Sequence, residues 1–142
     1  MLKHFLVIVL VVFCCSLAFA KVDVNLSEKI HYLNSEIMDL NLMIYTVVIN
    51  HKDSFPIDGE VLKIQYYYEF SSAIGMNLKS VFEDKNSHII PSKFRQTLDN
   101  VKNFSDSQKT DLIDALNRLE LKIQEKEQLR LKYSDYYLYI SW

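Results

Sequence analysis

The chain has 142 residues, a formal net charge of −2 and only two cysteines. That near-neutral balance gives no sign of an electrostatic grip on nucleic acid, which normally needs a clustered basic face. Two glycines and two prolines are too few turn formers for an all-β fold with many hairpins.

The first twenty residues have the order of a secretory signal peptide. Lys3 and His4 form a short basic start, Phe5 to Phe13 is an unbroken apolar run, and Ala18-Phe19-Ala20 places small residues where a peptidase inspects them. Cleavage is expected after Ala20, giving a leader over 1–20 and a helical domain over 21–142. The apolar run is short against the roughly 20 residues of a membrane span. An uncleaved N-terminal anchor is the alternative. Cys14 and Cys15 both leave with the leader, so the processed chain has no thiol and no route to a disulfide or a cysteine nucleophile. Loss of Lys3 takes the formal charge from −2 to −3. About 120 residues remain, enough for one sizeable core held by packing alone.

Leu26, Ile30, Leu33, Ile37, Leu40, Ile44 and Val47 follow at alternating steps of four and three. This spacing predicts a long helix with one apolar stripe, starting at a capping box formed by Asn25 and Glu28 and ending near Asn50. Pro56 and Gly59 mark the loop that follows. A second helix is expected from Asp58 or Glu60, with Ile64, Tyr67, Ser71, Ile74, Leu78 and Val81 in register and Val61, Phe70 and Phe82 widening the stripe. Gly75 falls inside that pattern, as a point of close helix approach or as a hinge. Tyr66, Tyr67 and Tyr68 are consecutive and cannot share one helix face, so at least one phenol is expected at solvent or at a partner.

Pro91 suits the first turn of a short third helix carrying Phe94, Leu98 and Val101. Ser105 and Gln108 form a second capping box. It opens the last helix, where Leu112, Leu116, Leu119 and Ile123 begin a register that Tyr133, Tyr137 and Ile140 resume. Lys126 and Arg130 occupy the two register positions between, and an exposed break in the seam is expected there. The last seven residues alternate as in the final strand of an outer-membrane barrel. The helical period of the first two helices argues against that fold, although an extended tail is compatible with it.

Glu28 and His31 match the spacing of di-metal helix bundles, but there is no second copy and both fall off the apolar stripe. No phosphate loop, catalytic elbow, metal-ligand set or cofactor motif is present, and no catalytic function is expected. Asn25-Leu26-Ser27 and Asn103-Phe104-Ser105 are three-residue matches to the glycosylation signal, at the level expected by chance.

These observations predict an all-α protein, an antiparallel up-and-down bundle of three long helices and one short one with coiled-coil-like packing. The expected function is non-enzymatic, secreted or periplasmic, and exercised through a protein partner or self-association, in an adhesin, chaperone-like or accessory-subunit role. The expected partner surface is Lys126, Arg130, Tyr133, Tyr136, Tyr137, Tyr139 and Trp142, because Tyr and Trp are enriched at interfaces. A carrier of a hydrophobic small molecule held between the helices is the alternative.

Overall fold

Helix α1 runs from Leu2 to Asn50 in the computed structural model, which describes residues 2–133, with side chains from residue 25 onward. The expected start at Asn25 is therefore corrected: Asn25 lies inside a continuous helix. A capping box needs free N–H groups, and neither proline nor glycine lies upstream to create them. After α1 come a 3-10 turn at Lys52–Ser54, α2 (Gly59–Ala73), α3 (Leu78–Val81), a second 3-10 turn at Lys85–Ser87, α4 (Pro91–Leu98) and α5 (Asp106–Lys132). The described residues are thus helical with no strand, as the apolar spacing predicts. Among them, no helix is long and apolar enough to cross a membrane. The expected leader lies outside the residues whose side chains are described, as do the last nine residues with their aromatic ending.

The chain divides into two compact units, one of residues 1–33 with 126–142 and one of residues 34–125. In the second unit, α1 supplies Ile37, Leu40, Ile44, Tyr45 and Val48 to a core completed by Val61 and Ile64 of α2, Phe94 and Leu98 of α4, and Leu112, Leu116 and Leu119 of α5. Burying side chains of this size contributes about 1.5–3 kcal/mol each. Phe55, at the break after α1, leans on Phe94 at 6.2 Å and meets Phe104 edge-on at 5.3 Å. His51, just past the end of α1, meets Phe104 at 5.3 Å, and Lys122 on α5 pairs with Glu36 on α1 at 2.8 Å. In the first unit, Leu26 and Ile30 are buried against Leu129 and Tyr133.

Helix α2 ends earlier than its apolar rhythm predicts. Gly75 has a φ of +66°, Met76 N–H donates to the Ser71 carbonyl at 2.8 Å and Gly75 N–H to that of Ser72 at 3.3 Å. This pair of bonds is a Schellman cap, which needs a residue in the left-handed region. Gly75 is a helix cap rather than a point of close approach, since a Cβ there would meet nothing within 4 Å. Because the chain turns at Gly75, Ile74 stays exposed, and Leu78 and Val81 belong to the separate helix α3.

Local signals elsewhere hold. Asp58 caps α2, its Oδ1 accepting from the N–H groups of Glu60 and Val61 at 3.0 Å. Pro91 opens α4. Ser105 and Gln108 exchange the two capping-box bonds at 2.9 and 3.2 Å. The register of α5 is corrected in two places. A 3.5-residue step from Leu119 falls between Lys122 and Ile123, and the step from Lys126 falls between Leu129 and Arg130. Lys122 turns towards Glu36 and leaves Ile123 exposed. Leu129 takes the inward place, with Lys126 and Arg130 half-buried rather than at an exposed break.

Candidate interaction surface

Helix α2 has two unlike faces. One carries the buried Val61, Ile64 and Ser71 and the half-buried Tyr67. The other carries Leu62, Tyr66, Phe70 and Ile74, spaced four residues apart and each between 44% and 62% exposed. Residues four apart form one ridge along a helix, so these four side chains lie in a row. The Tyr66 and Phe70 rings are 6.3 Å apart between centroids and 13° from parallel. Tyr68 is also exposed, as consecutive phenols on a helix require.

Five polar tethers fix which face of α2 turns inward by tying residues 84–90 between α1 and α2. Glu60 Oε2 accepts from the Ile90 N–H at 3.2 Å and pairs with Lys63 at 2.8 Å. Lys63 Nζ donates to the His88 carbonyl at 2.8 Å, and Tyr67 donates to Asp84 at 3.0 Å. From α1, Asn41 Oδ1 accepts from the Ile89 N–H at 2.7 Å, and the Tyr45 hydroxyl donates to the Ser87 carbonyl. Burial pushes the Tyr45 phenol well above its usual range, reinforced by nearby Tyr67, Glu60 and Asp84. Tyr67 is raised by desolvation and by its bond to Asp84. The Asn86 N–H, and then Tyr67, hold the Asp84 carboxyl below its ordinary value. With Glu60 and Lys63 engaged on the inner side, Glu69 is the remaining charge on α2.

A groove of about 590 Å³ opens between the start of α2 and α4, lined by polar groups including Asp58, Glu60, Lys93, Gln96, Thr97 and Asn100. Its Asp58 carboxylate is already engaged, with Oδ2 accepting from Thr97 Oγ1 at 2.5 Å and Oδ1 capping α2. A second groove, of about 110 Å³, lies beside Val47, His51, Phe104 and Leu112. Among the described residues, no three His, Cys, Asp or Glu side chains could hold a metal ion together, and Glu28 and His31 are both exposed.

The surface expected at the end of α5 is described in part. Tyr133 rests against Leu26 and Ile30 beside Leu129, with Lys132 Nζ 5.3 Å from its ring centre. Arg130 grips Glu127 at 2.8 and 2.5 Å, which holds the Glu127 carboxyl below its ordinary value. Lys126 is half-buried. Tyr136, Tyr137, Tyr139 and Trp142 lie outside the described residues. The exposed ridge of α2 escaped the sequence reading, which placed Ile74 and Phe70 in the core. A signal was present: α2 is apolar on opposite sides, and one core can cover only one of them.

Compared with protein families, characterised proteins and solved structures, the chain matches none.

Proposed function

We propose that this chain is an exported, non-enzymatic helical protein that works by binding another protein chain. The observation that carries this reading is the uncharged apolar ridge on α2, Leu62-Tyr66-Phe70-Ile74, turned away from the core. Contiguous apolar surface of this kind marks interaction sites in soluble proteins. The end of α5, from Lys126 and Arg130 through Tyr133 to Tyr136, Tyr137, Tyr139 and Trp142, is a second candidate surface, supported by its aromatic composition. The helices are read as an up-and-down bundle with coiled-coil-like packing. In support, Glu36 meets Lys122 while His51 meets Phe104, the order expected of an antiparallel pair.

Export rests on the basic, apolar and small-residue order of residues 1–20. Expression with the native N-terminus, followed by mass measurement of the product, tests it. A chain beginning at Lys21 is expected, and a full-length product held in the membrane fraction overturns it. Interaction is tested by placing a photo-crosslinking residue at Leu62 or Phe70 in the producing cells. A crosslinked product of defined mass is expected, and its absence at both positions counts against this surface.

A further inference from the structure

The structure also bears on what covers the α2 ridge. We infer that it is the same ridge of a second copy of this chain, an inference that rests on the interaction reading above. In chain order the ridge is aliphatic, aromatic, aromatic, aliphatic: Leu62, Tyr66, Phe70, Ile74. That order reads the same in both directions. A two-fold axis passing between Tyr66 and Phe70 would therefore set aromatic rings on aromatic rings and Leu62 against Ile74. An isologous contact demands this kind of self-complementarity, and a foreign partner does not.

Helix geometry agrees with the residue order. Side chains four apart form the ridge that interdigitates with an identical ridge when two helices cross at about −50°, the commonest packing class. The paired rings of Tyr66 and Phe70 already form one blade within a copy, so little side-chain freedom remains to be lost. Of the charges on α2, Glu60 and Lys63 are committed to each other and to the backbone at His88 and Ile90, which leaves Glu69 as the one charge beside the ridge.

Area sets the strength. Four side chains of this size at about half exposure, with neighbouring Met76, leave on the order of 500 Å² per copy. Two copies bury at most on the order of 1,000 Å², the threshold of a specific interface. An interface of this size is expected to form reversibly, with the dimer fraction rising with concentration.

Sedimentation velocity over a wide concentration range tests this on protein expressed with its own N-terminal segment. The native chain is expected to pass from monomer to dimer. Tyr66→Glu/Phe70→Glu and Tyr66→Lys/Phe70→Lys are each expected to stay monomeric with unchanged helical circular dichroism. An equimolar mixture of the two is expected to regain the dimer, because opposite charges then face each other across the axis. Should either pair lose helicity, Leu62→Lys reads the same contact from its end. A native chain that is monomeric throughout, or a dimer that survives the glutamate pair, overturns the inference. A crosslink from Phe70 to a different protein with no self-product also overturns it, yet leaves the interaction reading standing. Loss of every crosslink would remove both.

Discussion

Asn41 is fully buried in the last turns of α1, flanked by Leu40 and Leu42. Its Nδ2 donates to the Ile37 carbonyl at 2.8 Å, while its Oδ1 receives the Ile89 N–H. Asn41→Leu keeps the branched shape but strands that N–H, and about 1–3 kcal/mol of unfolding free energy should be lost in urea titration. Tyr45 sits one turn further on. Its phenol is raised in the folded state, so its stabilisation is complete below the ordinary phenol value near 10 and is lost as pH rises above it. Alkaline unfolding should therefore be shifted in Tyr45→Phe relative to the native chain, as read by ellipticity against pH. Asp84 behaves in the opposite sense. Its carboxyl is lowered in the fold, so its contribution is present above the usual carboxylate range near pH 4 and fades as pH falls through its folded value. Asp84→Asn should flatten the acid limb of the same profile.

At the scale of the element, the end of α2 shows how one residue overrides an apolar rhythm. The three-and-four spacing runs on from Ser71 to Val81, and apolar periodicity alone gives no reason to stop it. A single glycine at positive φ stops it by capping the carbonyls of Ser71 and Ser72. Gly75→Ala should cost about 1 kcal/mol through the left-handed backbone, although the space beside it is open. Gly75→Asn should cost less, because asparagine visits that region more readily. Thermal melts of the two variants give the order. The capping box of α5 was legible in the sequence because its two bonds lie within four residues. Ser105→Ala should lose about 0.5–2 kcal/mol in the same assay.

For the whole molecule, there is no cysteine beyond Cys15, so a chain cleaved after Ala20, as proposed above, would be held together by packing alone. Its melting temperature should be the same with and without reductant, and a fall on reduction would show that the leader cysteines are retained. Phe94 lies at the centre of the unit formed by residues 34–125, fully buried beside Phe55. Phe94→Ala should remove about 3–5 kcal/mol, by lost transfer energy and the cavity left behind. Such a change would unfold a marginal domain. Tyr66→Gln, on the exposed ridge, should leave stability within about 0.5 kcal/mol of the native value while weakening association. This contrast between a core ring and a ridge ring, read by denaturation and by sedimentation, separates folding from binding.

The helical class, the stripe from Leu26 to Ile44, the start of α2 near Asp58, the cap at Ser105 and the start of α4 at Pro91 were all written in the sequence. Each depends on residues a few positions apart, where helix geometry leaves one outcome. Tertiary structure alone decided which side of α2 faces inward, because that choice depends on Asn41, Tyr45, Glu60 and Lys63 meeting a segment up to 48 residues away. It also decided that Lys122 and Leu129, not Ile123 and Arg130, turn inward on α5. A half-integer register offers two neighbours equally, and only the partner across the interface selects one.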